Sequence, residues 1–372
     1  MSVQWAIIIG FFACVLWFLQ NRLYKALGLL KIEYTRFFNV PAAYAGDEIQ
    51  MVEVIANRKL LFAPWIELES NIDPSLQFHR ESSHDIKHGQ FHRSVFTMLP
   101  YMRITRRHRV RCTKRGCYFL NSAAINCCDL LGFQVSSREV SLSVRLLVYP
   151  KILSMQEIPL PAHSWQGDVT VRRWIVEDPF MISGTRGYQS GDPLSHINWK
   201  ATARTGVLQV HKREYTANPE LMIYLNFDMS DDMWNAVTDP ECVELGITYA
   251  ASLAYHTISK GIKTGFGCNG CQIDPETQSL RILPGSGEDH FTFMMENMAR
   301  LVIKRSVTFY TFLEQDIERG LHDSDIVIIT SYMSDRLAEQ IERLKELGNA
   351  VEILWLEPDY KRREEGFHAA AL

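Results

Sequence analysis

Two polar groups follow directly on apolar runs: Asp228 after residues 221–227 and Thr330-Ser331 after residues 325–329. Carboxylates and hydroxyls at such places lie where ligands collect in open α/β sheets, in the crevice outside the carboxyl ends of the strands. The densest polar stretch lies earlier, over residues 186–210. It carries Arg186, Tyr188, Gly191, Asp192, Trp199, Lys200 and Arg204. Glycines and charges at that density could build a catalytic loop, or a rigid connector whose Asp and Arg pair with each other. The connector is preferred, because function must be argued from a converged site. Cys268-Asn269-Gly270-Cys271 has the Cys-x-x-Cys spacing. Redox pairs of that kind open a helix, whose dipole lowers the thiol pKa. Zinc would need a second pair, and neither Cys112 with Cys117 nor Cys127-Cys128 supplies it. Asn-Gly between apolar residues instead predicts a hairpin turn flanked by two structural thiols. His79, His84, His88 and His92 fall in a polar stretch that reads as an exposed loop, without metal-ligand spacing. Neither a P-loop, a dinucleotide fingerprint nor Gly-x-Ser-x-Gly occurs.

The elements that would hold these residues divide the chain. Residues 221–227 read as a buried strand. A helix over 240–260 follows, with Asp239 as N-cap, Pro240 at its first position and Gly261 beyond its end. Residues 263–268 form the next strand and 290–302 a helix whose Met294, Met295 and Met298 stripe is core. A shorter helix covers 310–319, a strand 325–330, an amphipathic helix 335–347 and a last strand 351–356. Strands alternating with helices predict a doubly wound, mostly parallel sheet. Before it, Gly191-Asp192-Pro193 and residues 203–206 read as turns, with Ile197 and Trp199 alternating as if buried and residues 207–210 as a strand.

Residues 34–150 show a different period. Alternating runs at 47–55, 107–112 and 141–149, broken by turn residues, predict a small β-sandwich. The cluster Arg103, Arg106, Arg107, Arg109, Arg111, Lys114 and Arg115 could lie on anionic lipid. Alternation at period two explains it more simply as the wet face of a half-buried strand. No aromatic platform interleaves these charges, and 39 Lys+Arg against 43 Asp+Glu leave a net charge of −4, so nucleic acid is not an expected partner. At the start, residues 3–19 are nearly uninterrupted hydrocarbon, about 17 residues and just long enough to span a bilayer. A cleaved signal would want a basic region before the run and a small-x-small site after it, and both are missing. The positive charges follow instead (Arg22, Lys25, Lys31, Arg36), which holds the downstream chain in the cytoplasm. The boundaries expected are an anchor with its juxtamembrane segment at 1–33, a sandwich at 34–150, a connector at 151–218 and an α/β domain at 219–372.

The pattern Arg186-x-Tyr188-x-x-Gly191-Asp192, Ile197-x-Trp199-Lys200-x-x-Ala203-Arg204, then Leu208-x-Val210 resembles the hallmark of the family catalogued as domain of unknown function 58. The resemblance covers essentially the whole chain after the anchor. It implies an N-terminal membrane region, a β-sandwich-like segment and a C-terminal domain similar to von Willebrand factor type A. It also implies partners: a MoxR-type AAA+ ATPase and a transglutaminase-like membrane protein. Type A domains of the metal-binding kind hold Mg²⁺ on Asp-x-Ser-x-Ser oxygens after the first strand. The corresponding residues here are Asp228, Ser230 and Asp232, with a carboxylate in place of the second serine. The later Ser/Thr-Asp position reads Thr330-Ser331, without its Asp. A degenerate Mg²⁺ site and simple capping of the next turn by Asp228 and Ser230 therefore both stand. The expected function is a membrane-anchored, cytosol-facing interaction or assembly factor. Its rival is a metal-assisted hydrolase with Asp228, Ser230 and Asp192 gathered at one crevice.

Overall fold

The computed structural model describes residues 2–78, 91–130, 132, 135–159, 182–188, 197–213, 220–231, 233–234, 236–273, 279–322 and 324–357. The chain divides into two compact units, Met1–Lys151 and Ile152–Leu372.

The first unit opens with helix α1 (Ser2–Leu27), 26 residues and so about 39 Å long. Its apolar side chains from Trp5 to Leu19 are exposed, and residues 7–27 are long and apolar enough to cross a membrane. Only its end touches the sandwich. Tyr24 is buried and its hydroxyl donates to the Phe62 carbonyl (3.0 Å). Nine strands follow: β1 (Ile32–Phe38), β2 (Ala42–Tyr44), β3 (Glu48–Asn57), β4 (Ala63–Asn71), β5 (Leu76–Phe78), β6 (Phe91–Met98), β7 (Arg103–Cys112), β8 (Gly116–Cys128) and β9 (Val135–Tyr149). They form a four-stranded sheet, β1-β3-β7-β5, and a five-stranded sheet, β2-β9-β8-β4-β6. Inward side chains of both sheets build two apolar clusters, one around Ile55, Ile66, Leu68 and Ile125, the other around Met51, Val110, Leu120 and Leu146. The β-sandwich expected from period-two alternation is therefore present. Arg103, Arg107, Arg109 and Arg111 are exposed along β7, as a wet strand face requires, whereas Arg106 is half-buried over the Phe96 ring and Arg115 is buried.

Two expectations fail in this unit. Arg36, counted among the cations behind the anchor, faces inward on β1 and is fully buried against Glu53. His92, assigned to an exposed loop, is a buried residue of β6, while His79, His84 and His88 lie outside the described residues.

The second unit contains β10 (Ile182–Gly187), α2 (Trp199–Thr205), β11 (Gln209–Arg213), β12 (Glu220–Leu225), α3 (Pro240–Ser259), β13 (Lys263–Gln272), β14 (Ser279–Gly285), α4 (Glu288–Ala299), β15 (Leu301–Arg305), α5 (Phe309–Glu318), β16 (Asp325–Thr330), α6 (Asp335–Glu346) and β17 (Ala350–Trp355). The main sheet runs β14-β13-β12-β16-β17, with β15 also on β13. β13, β12, β16 and β17 are mutually parallel, and β14 and β15 antiparallel to β13. Met222, Tyr224, Ile326 and Ile328 face α5 and α6. On the opposite face α3 comes so close that a Cβ on Gly246 would stand 2.6 Å from Leu225 and 2.9 Å from Leu356. Helices thus cover both faces, as the alternation of strands and helices predicts. Asp239 caps α3 through the Cys242 amide (3.0 Å), with Pro240 at the first turn.

Three local expectations are overturned here. Asn269-Gly270 is not a hairpin turn: β13 continues through it, with a shift of pairing register and both residues buried. A Cβ on Gly270 would stand 2.5 Å from the Phe227 ring, so glycine serves close packing rather than a turn. Trp199 is not on a buried strand but opens α2, 68% exposed. Residues 203–206 are the end of that helix, closed by Gly206 in the left-handed region (φ 70°).

Candidate functional site

The candidate crevice lies at the carboxyl ends of the parallel strands, where the apolar runs stop and polar side chains take over the bonding that the ladders no longer provide. Asn226 continues β12, its amide donating to Ile329 O (2.9 Å), and its side chain donates to Thr330 Oγ1 (3.0 Å). Its Oδ1 accepts the Asp228 amide (2.8 Å), which turns the chain immediately after the strand. Asn269, fully buried in β13, receives the Phe227 amide on Oδ1 (2.8 Å) and donates to Asp228 Oδ1 (2.8 Å) and Val307 O (3.0 Å). Asp228 Oδ2 accepts the Phe309 amide at the first turn of α5 (2.8 Å). Arg305 at the end of β15 approaches Asp228 Oδ1 at 3.5 Å and donates to Met233 O. Burial pushes the Asp228 carboxyl up from its ordinary value, against the opposing Phe309 amide, Arg305 charge and Asn269 amide.

Asp228 and Ser230 come together in this crevice, with Asp231, Thr308, Tyr310, Tyr332 and Ser334. The enclosed space is about 20 Å³, enough for one water-sized group. Asp232 lies outside the described residues, as do Gly191 and Asp192, the third member of the hydrolase constellation. Thr330, fully buried, is bonded to Asn226, to the Tyr332 amide (3.1 Å) and to the Tyr332 carbonyl (2.6 Å). For a divalent ion the oxygens of Asp228, Ser230 and Asp231 are of the right hard type. Both Asp228 oxygens, however, already accept hydrogen bonds, and the guanidinium beside them occupies the neighbourhood a cation would need.

The hallmark residues form a separate small element. β10 and β11 pair antiparallel, Arg186 opposite Val210, and the Tyr188 amide donates to Leu208 O (2.9 Å). Asn198 caps α2 through the Ala201 amide (3.0 Å), and Thr202 Oγ1 accepts the Gln209 amide (2.9 Å). These bonds fix the helix on its hairpin. Trp199, Lys200 and Arg204 then project from it into solvent, and Arg186 is exposed as well.

A third constellation was missed by sequence reasoning. Between the two apolar clusters of the sandwich lie Arg36, Glu53, Ser70, His92, Ser94 and His108, all buried. Glu53 Oε1 accepts from Arg36 Nη2 (2.6 Å) and Tyr34 Oη (2.8 Å). Glu53 Oε2 accepts from Ser94 Oγ (3.1 Å) and meets His108 Nε2 at 2.9 Å. Burial alone would raise this carboxyl. The hydrogen bonds from His108 and His92 and the Arg36 charge outweigh it and hold the group far below the usual carboxylate range. Donor atoms of Glu53, His92 and His108 lie within 4.8 Å of one another, the mixed nitrogen and oxygen set a transition metal would accept. Arg36 already neutralises the carboxylate there, and a divalent ion would leave the dry interior with excess positive charge. Alternation held the missed signal: Glu53 shares the buried face of β3 with Met51 and Ile55, as His108 does with Val110 and Cys112.

No curated protein matches the chain. Among solved structures, it is similar to the non-cellulosomal cohesin of the hyperthermophilic archaeon Archaeoglobus fulgidus, at 16% identity over 34% of this chain and 94% of that one, TM-score 0.22. The second type II cohesin module of the ScaA scaffoldin of Acetivibrio cellulolyticus matches at 11% identity over 32% of this chain and 95% of its own, TM-score 0.22. BslA, a bacterial hydrophobin, matches at 9% identity over 32% and 97%, TM-score 0.22. Scores this low carry no argument about function. The family resemblance, expected over the whole chain after the anchor, narrows to residues 184–357. Those residues, which contain the hallmark helix and the strand-end crevice, are a domain of the family described as Protein of unknown function DUF58.

Proposed function

We propose that this chain is a membrane-anchored protein-interaction or assembly factor, with its soluble units in the cytosol and α2 offered to a protein partner. The observation that carries this reading is the exposed Trp199 at the start of a rigidly capped helix, with Lys200 and Arg204 exposed beside it. An indole kept in water is unfavourable for the isolated chain, and an exposed aromatic is what an interface hot spot uses, with Lys200 and Arg204 one turn apart on another side of the helix. The caps on α2 lower the ordering cost of docking. The crevice supports the same reading. It has room for one water-sized group, and its carboxylate is engaged by the Phe309 amide, Asn269 and Arg305. A metal-assisted hydrolase would need that carboxylate free to hold an ion or activate water.

Anchoring rests on the exposed apolar length of α1, and the cytosolic orientation on Arg22, Lys25 and Lys31 behind it. The partner class carried over from the family resemblance is a MoxR-type AAA+ ATPase, with a transglutaminase-like membrane protein as companion. The test is a photo-crosslinking residue at position 199 of the full chain in its native membranes. A discrete adduct with an AAA+ ATPase, lost in Arg204→Glu, supports the reading. No discrete protein adduct from a chain that melts like the unsubstituted one overturns it.

A further inference from the structure

Loop tips of a β-sandwich ordinarily carry Gly, Asn, Asp and Ser, which suit both turns and water. One end of this sandwich follows that rule. Its turns at residues 45–47, 73–75 and 113–115 are gathered by the Gly46 amide on Cys112 O (2.6 Å) and the Thr113 amide on Ser75 O (2.8 Å). None of their residues is a large exposed hydrophobic. The opposite end breaks the rule. There Leu60 is 76% exposed, Leu99 58%, Tyr101 70% and Leu130 54%, each in a connection between strands.

These tips surround the point where α1 enters the sandwich. Lys59 Nζ donates to the carbonyls of Leu27 and Gly28 at the end of the helix. The Tyr101 amide donates to Lys59 O (3.3 Å), and Asn57 Nδ2 donates to Leu61 O and Leu99 O (both 3.0 Å). On the other side Gln20 of α1 reaches Asp129, the neighbour of Leu130 (3.4 Å). Exposed Lys31, Arg58 and Arg103 rim the same end. Of the nearby carboxylates, Glu33 is paired with Arg58 (2.6 Å) and Asp129 is buried.

The length of α1 sets the height of this end. If residues 3–21 fill the hydrocarbon, a rise of 1.5 Å per residue puts Arg22 about 30 Å along, at the headgroups. The helix then ends about 9 Å further on, at the outer edge of an interfacial layer about 5–8 Å deep, within reach of side chains that point back along it. The apolar tips sit at the level where leucine and tyrosine partition favourably and where lysine and arginine meet phosphate.

We propose that this end of the sandwich is a second membrane contact, with Leu60, Leu99, Tyr101 and Leu130 entering the headgroup–acyl boundary of an anionic bilayer and Lys31 and Arg103 meeting its phosphates. The contact rests on α1 being an anchor, and it adds a fixed orientation: the sandwich stands on the bilayer instead of swinging from a tether.

The experiment uses the full chain in vesicles of phosphatidylcholine and phosphatidylglycerol, with the non-buried cysteines Cys14, Cys117 and Cys128 replaced by serine. A polarity-sensitive fluorophore is attached in turn at Leu60→Cys, Leu99→Cys and Lys114→Cys, the last at the polar end. The expected result is severalfold quenching of the first two by lipids labelled high in the acyl chain, and none of the third. Equal exposure of all three probes to an aqueous quencher, while the chain stays with the vesicles through an alkaline wash, overturns the contact and leaves the anchor standing. Release of the chain by that wash overturns both.

Discussion

Removing the Glu53 carboxylate should be among the most damaging single changes available in the sandwich. Both it and the Arg36 guanidinium have fully buried side chains, so Glu53→Ala strands a positive charge in a dry interior. The same change takes the acceptor from Tyr34 Oη, Ser94 Oγ and His108 Nε2. Breaking a buried pair by deleting one partner costs about 3–5 kcal/mol. The unit spans Met1–Lys151, and at that size 1 kcal/mol moves Tm by about 2–4 °C, so the midpoint should fall by roughly 6–20 °C. Glu53→Leu combined with Arg36→Met leaves no orphan charge. Tyr34, Ser94 and His108 still lose a partner, as they do in the single variant, at about 1–3 kcal/mol each. The double variant should therefore be no less stable than the single one, despite the extra substitution. Thermal unfolding of the full chain in detergent micelles, followed by circular dichroism, gives the midpoints. Hydrogen exchange at β3 and β7 assigns the loss to the sandwich. A single variant melting within about 2 °C of the unsubstituted chain, or a double variant whose loss equals the sum of the two singles, would refute the argument.

Acid should weaken the same cluster in two stages. Burial pushes the His92 imidazole below its ordinary 6.5, with Glu53 opposing. The unfolded chain then takes up the proton first, so the stability His92 contributes is complete above pH 6.5 and drains as pH falls through the depressed folded value. The contribution of Glu53, whose folded value is also depressed, is complete above 4.5 and drains only at still lower pH. Denaturant midpoints that do not move between about pH 7 and 5 would contradict the first stage. In the α/β domain, Asp228→Ala should cost about 1–3 kcal/mol by unpairing Asn269, Arg305 and the Phe309 amide, and calorimetric titration of Mg²⁺ into the unsubstituted chain should be flat. Saturable Mg²⁺ binding abolished by that variant would restore the metal site. Gly270→Ala, with its Cβ 2.5 Å from the Phe227 ring, should cost about 1–3 kcal/mol by overpacking, read as a lower unfolding midpoint.

How much of this was legible depended on whether a residue obeyed local or tertiary rules. The order of elements from 221 to 356 was readable because period and caps agreed: Asp239, Pro240 and Gly261 frame α3 as their chemistry demands. Strand β14 was missed because Arg281 interrupts its alternation, and that guanidinium is answered only in three dimensions, by Asp316 on α5 (2.6 Å). Asn269-Gly270 was misread because local turn propensity is strong. The structure spends the asparagine on Phe227 and Asp228 and the glycine on room for a ring. Trp199 misled for the opposite reason: an aromatic in an alternating stretch suggests burial, whereas the Asn198 cap and Gly206 make the stretch a short exposed helix. The strand-end rule pointed to Asp228 and Thr330, but the partners of Asp228, Asn269 and Arg305, come from β13 and β15, far away in sequence.

The condition of the crevice bears directly on turnover. A general base or a metal ligand must hold a lone pair in reserve, at a group whose proton affinity suits the step. Three of the roughly four acceptor sites of Asp228 are engaged. One oxygen is shared by Asn269 and Arg305 and the other closes the first turn of α5, so the residue joins β12, β13, β15 and α5 as a bracket. Its carboxyl is shifted upward chiefly by burial, the cost of placing a charge there to hold four elements together. By contrast, the Trp199 indole with its neighbouring cations and the leucine tips around the end of α1 face outward. On the proposed reading those outer groups are the ones that are held, by lipid on one unit and by protein on the other, while buried atoms left without a partner, such as Arg36 Nε and His108 Nδ1, lie in the sandwich interior.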